Sequence, residues 1–144
     1  GTHSKTHPKM SKLSAEEIEE ELKSSVAAIE NVTGQKVKLF RPPFGDYDDK
    51  VITAAENLGL YTIQWNVDSL DWKNLSAEQI AARVIKKAGS GSIILMHNNG
   101  LHTAESLPLI FTATQQKGLV YRPISELIYT DDFRITPDGT QIKN

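Results

Sequence analysis

The amino-acid sequence predicts an α/β fold built on a parallel sheet or barrel, and three observations predict it. Two segments open as capping boxes, Ser14-Ala15-Glu16-Glu17 and Ser76-Ala77-Glu78-Gln79, in which a serine and a glutamate or glutamine three residues on satisfy each other's amides. Helical patterns stop at glycines: Gly34, Gly59 and Gly89. Short runs of apolar, β-branched and aromatic residues lie between these helices, and strands joined through helices run parallel.

The elements follow in order. Ile18, Leu22, Val26, Ile29 and Val32 recur at spacings of three and four, the stripe of an amphipathic first helix. Residues 37–40 read as a short strand. A second helix starts near Asp48 or Asp49 and carries Val51, Ile52, Ala55 and Leu58. Residues 60–67 read as one strand. The third helix places Ile80, Val84 and Ala88 on one face, and the apolar run 92–96 reads as a strand buried on both faces. A fourth helix is expected over 104–117, with Pro108 near enough to its start to be tolerated or to shift its first turn. A last strand is expected at 119–122, a helical turn at 125–128 and a turn at 137–139; the tail 130–144 has no further assignment. No repeat or linker divides the chain, so residues 1–144 read as one domain or most of one.

Composition narrows the function. A net charge of -2 over 144 residues, with no Lys/Arg run, speaks against nucleic acid and against an anionic membrane surface. No apolar stretch is long enough for a transmembrane segment. The absence of cysteine excludes disulfides and thiolate metal sites. No signal peptide is visible, and the chain begins Gly1-Thr2-His3 without a Met, so the expectation is that either the natural N-terminus has been removed or this is one piece of a longer polypeptide.

In sheets and barrels of this kind, reactive groups gather beyond the C-terminal ends of strands. Arg41 follows the strand ending at Phe40, Asp68 and Asp71 follow the one ending near Val67, and His97 follows Met96. His3 and His7 precede the first helix, where a strand-to-helix loop belongs, so every unusual polar cluster falls on one predicted face. Two imidazoles four residues apart suit zinc; taken alone, the pair is equally open to coincidence. Arg41-Pro42-Pro43-Phe44-Gly45 is a rigid turn whose arginine either orients a carboxylate or lies on the surface. Asp68-Ser69-Leu70-Asp71-Trp72 either prepares a histidine as general acid or simply caps a turn and packs an indole. His97 closes a buried strand, where it is either a satisfied structural group or a catalytic one, and His102 is given no role.

Taken in order, these motifs resemble the polysaccharide deacetylase family, also called the NodB-homology domain or carbohydrate esterase family 4. Its H-S/T-x-x-H motif is matched by His3-Ser4-Lys5-Thr6-His7 and its R-x-P-Y-like turn by Arg41 to Gly45, with Phe44 where Tyr is common. D-x-x-D-W is matched by Asp68 to Trp72, and L-x-H by Leu95-Met96-His97. The resemblance covers residues 1 to about 128 and implies a distorted (β/α) barrel, incomplete without an N-terminal segment.

The resemblance also implies the roles. His3 and His7 would ligate zinc, or cobalt in its place, and Arg41 would hold the catalytic base. The Phe44 backbone N–H would help bind the oxyanion, and Trp72 and Leu95 would line the slot for the acetyl methyl group. His97 would protonate the departing amine, and Asp71 would raise its pKa. Members of the family act on peptidoglycan, chitin oligomers and acetylated xylan; the substrate would be an N-acetylated polysaccharide, with peptidoglycan N-acetylglucosamine favoured, in an extracellular or bacterial cell-envelope setting.

The family's T-F-D-D-G motif, source of the base and the third metal ligand, has no counterpart here: Asp48-Asp49 and Asp131-Asp132 stand in the wrong context and order. The expected partner is therefore an associated N-terminal fragment of the same protein, without which the chain is expected to be inactive. Two readings compete with the enzyme: a carbohydrate-binding domain that kept the groove and lost the base, and an unrelated α/β domain with chance motifs. Denaturing mass spectrometry of the purified protein is expected to show a second polypeptide; finding this chain alone argues against the fragment.

Overall fold

The structure, a computed structural model, describes residues 1–136 and 138–144. It divides into two compact units, Gly1–Gln64 and Trp65–Asn144.

The first unit is organised by α1 (Ala15–Thr33), β1 (Leu39–Phe40), α2 (Asp49–Asn57) and β2 (Tyr61–Thr62). Ser14 and Glu17 form the expected capping box, and Gly34, at φ 68, ends α1 in the left-handed region. Asp48 caps α2 through Val51 N–H. β1 and β2 pair in parallel, and Thr2 adds a parallel bridge to Phe40. Thr2 N–H donates to Leu39 O at 2.7 Å and Arg41 N–H to Thr2 O at 3.0 Å. This bridge fixes where His3 begins. Ile18 and Leu22 from α1, Val51 and Ala55 from α2, and Phe40 are fully buried together with Met10. Val32 departs from the expected stripe: it is 85% exposed, because the last turn of α1 runs past the edge of this core.

The second unit contains β3 (Val67–Asp68), α3 (Ala77–Lys87), β4 (Ile94–Leu95), α4 (Thr103–Gln116), α5 (Ile124–Leu127), β5 (Phe133–Ile135) and β6 (Gln141–Lys143). The Ser76–Gln79 capping box starts α3. β3 and β4 pair in parallel with Val67 opposite Ile94 and Asp68 opposite Leu95. Val67, Ile80, Ala81, Val84 and Ile110 form the core. Pro108 lies inside α4, and the carbonyl its ring leaves unmatched belongs to exposed Ala104, within reach of solvent.

Several sequence expectations are corrected. Residues 60–67 are two strands, because the segment changes partner: β2 pairs with β1 and β3 with β4, while the Asn66 side chain binds Ile93 N–H at 2.9 Å. Thr62, Gln64 and Asn66 alternate with Ile63, Trp65 and Val67 as they would in a single strand, so the pattern does not encode that change. The strand within 37–40 narrows to Leu39–Phe40. The strand within 92–96 narrows to Ile94–Leu95 and is half-buried, since its only strand partner among the described residues is β3. Residues 119–122 form no strand; they fold back on α4, with Leu119 N–H on Thr114 O at 3.0 Å and Tyr121 Oη against Thr114 Oγ1 at 2.8 Å. The helical turn near 125–128 is α5, and the tail forms an antiparallel hairpin, Phe133 opposite Lys143 and Ile135 opposite Gln141. Of the turn expected at 137–139, residue 137 lies outside the described residues; Gly139 N–H bonds Thr136 O at 2.8 Å.

Ser14→Ala removes one half of the reciprocal cap on α1 and leaves the Glu17 N–H without its acceptor. Stability in urea denaturation is expected to fall by about 1 kcal/mol.

Candidate active site

Each unit carries one cluster at the C-terminal ends of its parallel strands. In the first unit the Thr2–Phe40 bridge aligns two chain segments, so His3 and Arg41 leave the bridge side by side. His3 Nδ1 lies 2.6 Å from Arg41 O. A carbonyl only accepts, so Nδ1 carries the proton and Nε2 keeps the lone pair that a metal would use.

His7 stands at φ 60, and its N–H donates to Ser4 Oγ at 3.0 Å; Ser4 itself stands at φ 65. The His3 and His7 ring centroids are 4.9 Å apart, and the Phe44 ring lies 4.6 Å from His7, edge to face in both cases. Phe44, at φ 59, occupies the tight turn of Pro43–Gly45, with its side chain exposed. Non-glycine residues in this region are strained and concentrate at functional sites. Among the described residues no group of three or more His, Cys, Asp and Glu is gathered as for a metal. The donors of His3 and His7 nevertheless fit one: they are two adjacent, exposed imidazoles, and a carbonyl sets the tautomer of one.

Arg41 is partly buried, and burial lowers the pKa of its guanidinium. Sequence reasoning gave Arg41 a role through its side chain; its backbone also serves, because its carbonyl orients His3.

In the second unit, Asp68 and Leu95 are partners in the parallel register, so the residues that follow them emerge at the same end. Leu70, at φ 53, turns the chain so that Asp71 points inward, with no exposure. Asp71 Oδ1 lies 2.7 Å from His97 Nδ1, while Oδ2 accepts from His97 N–H and from Thr103 Oγ1, each at 2.7 Å. Burial by itself raises the Asp71 carboxyl pKa. The bonds from the His97 side chain and backbone, Thr103 and Ser69 outweigh it, and the carboxyl is held below the usual carboxylate range. An ionised Asp71 requires His97 to donate from Nδ1, so Nε2 is the nitrogen left to gain and lose a proton. The His97 side chain is 36% exposed, enough to meet a substrate.

Trp72 follows as an exposed indole with Lys73 Nζ 5.0 Å over its ring, and Leu95 is half-buried in β4. The Asp68 carboxylate accepts from Leu70 N–H at 2.9 Å and so shapes the turn that delivers Asp71. His102 pairs with Glu105 at 2.8 Å on the surface.

Sequence reasoning missed Thr103 and Gly100. A Cβ at Gly100 would collide with Thr103 Oγ1 and stand 3.1 Å from Asp71 Oδ2. The only sequence signal was Gly100 in the loop after the histidine strand, three residues before a threonine that opens a helix.

The profile of the polysaccharide deacetylase family matches residues 1–63. The chain is 35% identical over 127 residues to the peptidoglycan-N-acetylglucosamine deacetylase PgdA of Listeria monocytogenes, covering 88% of this chain and 27% of that one. A CE4 family pseudoenzyme of Bacillus anthracis is similar in structure, with 38% identity and a TM-score of 0.85 over 88% of this chain and 45% of that one. So is the family 4 carbohydrate esterase of Streptomyces lividans, solved in complex with acetate: 34% identity and a TM-score of 0.80 over 85% and 63% of the two chains. The chain spans less than two thirds of the length of each. It belongs to the polysaccharide deacetylase family, and its α/β fold is of the barrel type of the family 4 carbohydrate esterases.

The buried carboxylate carries a pH signature. Because its folded pKa is depressed, Asp71 contributes stability above its unfolded value near pH 4, and that contribution is lost as pH falls through the lower folded value. Asp71→Asn turns an amide NH2 toward one of the three donors and is expected to cost about 1–3 kcal/mol at neutral pH. Denaturation curves between pH 2 and pH 7 are expected to show a shallower acid limb in the variant.

Proposed function

We propose that this chain is the metal-binding and general-acid portion of a hydrolase that removes acetyl groups from an N-acetylated polysaccharide, with peptidoglycan N-acetylglucosamine as substrate. The observation that carries the reading is the Asp71–His97 pair, an imidazole held at Nδ1 by a fully buried carboxylate and exposed at its remaining edge. Family membership and the peptidoglycan deacetylase among the relatives support the substrate class.

In this reading His3 and His7 hold zinc, or cobalt in its place, and a metal so held supplies Lewis acidity for attack of water on the amide carbonyl. The chain's own residues do the rest. Addition of water to the carbonyl carbon places negative charge on its oxygen, and the Phe44 N–H is a backbone donor for that charge, held by its turn. Arg41 positions the base, which with any further metal ligand comes from outside these 144 residues, on an associated N-terminal segment. Protonated His97 gives its Nε2 proton to the amine as the C–N bond breaks; Asp71 keeps the ring oriented throughout. Trp72 and Leu95 flank the acetyl methyl. Acetate and a free amino sugar leave. The substrate class puts the reaction outside the cell or in the bacterial envelope, and no helix among the described residues is long and apolar enough to cross a membrane.

A second reading has an observation of its own: the similarity to a CE4 pseudoenzyme, of which a mutant with restored enzymatic activity is also known. In that reading the chain binds carbohydrate without turning it over.

Acetate release from an N-acetylglucosamine oligomer by the whole protein, with and without added zinc, separates the two. Zinc-dependent release is expected, and His97→Ala is expected to lower it at least about 100-fold. A folded protein that releases no acetate with zinc supplied leaves the binding reading.

A further inference from the structure

The loop that carries the two histidines is held by a residue to which the chemistry above gives no part. Between Ser4 and His7, both in the left-handed region, stand Lys5 and Thr6. Their two N–H groups converge on Glu21 Oε2, each at 2.8 Å, and Thr6 Oγ1 donates to Glu21 Oε1 at 2.6 Å. Successive amides meeting one anion form a backbone nest, here filled by a side chain of the protein itself. Glu21 lies on α1 next to fully buried Leu22, so its carboxylate is referenced to the core while the loop is not. Burial pushes the Glu21 carboxyl up, but the bonds from Thr6 and Lys5 prevail and hold it below its ordinary value, so the nest is filled by an anion at neutral pH.

The loop is tied also by Ser4 Oγ, which accepts from His7 N–H, and by Arg41 O, which holds His3 Nδ1. Glu21 grips the middle, Lys5 and Thr6, from α1. Without that grip the strained dihedrals on either side would relax, and the two imidazoles would lose their edge-to-face approach at 4.9 Å.

We infer that Glu21 is the positioning residue of the histidine pair, setting the geometry with which His3 and His7 meet one divalent cation. The inference rests on the reading of that pair as metal ligands. Glu21 bonds to Lys5 and Thr6 and acts on the imidazoles only through them.

The test uses the full protein, titrated with zinc against a chromophoric chelator and with cobalt followed by its ligand-field spectrum. Glu21→Ala is expected to weaken metal binding about 10–100-fold and to alter the cobalt spectrum, as loss of an outer-shell partner does. Glu21→Gln keeps the shape and one acceptor oxygen and is expected to recover part of the affinity. Glu19→Ala, which breaks only a surface pair with Lys23 on the same helix, is expected to bind like the wild type. Amide hydrogen exchange supplies the structural control: in Glu21→Ala, Lys5 and Thr6 are expected to exchange fast while Leu22 stays protected. If the wild type takes up neither metal, the metal reading of the pair fails and this inference falls with it. If the wild type binds and Glu21→Ala binds equally well, the inference alone is overturned. It is overturned too if the weaker binding comes only with loss of protection throughout α1, since the role is then a general structural one.

Discussion

A carboxylate sealed from solvent must have its lone pairs filled by donors, and in the second unit the local chain path is bent around that requirement. Asp71 has no exposure. The left-handed turn at Leu70, the Asp68 carboxylate that stabilises it, the return of the chain at His97 and the first residue of α4 all serve to bring donors to its two oxygens. The parallel register of β3 and β4 makes this possible, because it delivers Asp71 and His97 to the same strand ends. The result is an imidazole with one nitrogen committed and one available.

The first unit meets a different constraint by similar means. Two imidazoles are brought 4.9 Å apart by a five-residue stretch that is neither helix nor strand. The chain accepts left-handed backbone at Ser4 and His7 and stabilises it with the loop's own Ser4 hydroxyl and, from outside, with a helix carboxylate and the carbonyl of Arg41. Burial of Ile18, Leu22 and Phe40 supplies the rigid reference against which those ties hold.

Much of this was legible in the sequence because it is local. The capping boxes at Ser14 and Ser76 and the left-handed glycine after α1 are short-range chemistry and stand where the residues put them. The motif residues were legible as types and spacings, and the approach of Asp71 to His97 followed from strand ends that lie side by side. The illegible parts depend on partner choice. Residues 60–67 alternate Ile63, Trp65 and Val67 with Thr62, Gln64 and Asn66 as one strand would, so the switch from β1 to β4 reads as a continuation. Residues 119–122 have strand-like composition but find a better partner in Thr114 and Phe111 of α4. The support from Thr103 is a tertiary contact across 32 positions, and nothing in a threonine's immediate neighbours announces it.

Gly100 shows how such support shapes what a sequence tolerates. It is not among the glycines at positive φ, so its backbone is one that other residues could adopt. What it provides is room: the space a side chain would fill is already taken by the Thr103 hydroxyl and the Asp71 carboxylate. A position without a side chain is thus tied to the Asp71–His97 pair by the room it leaves. In a saturation scan scored by stability, residue 100 would register through Asp71 and Thr103, and its lack of any functional group marks its contribution as vacancy rather than chemistry.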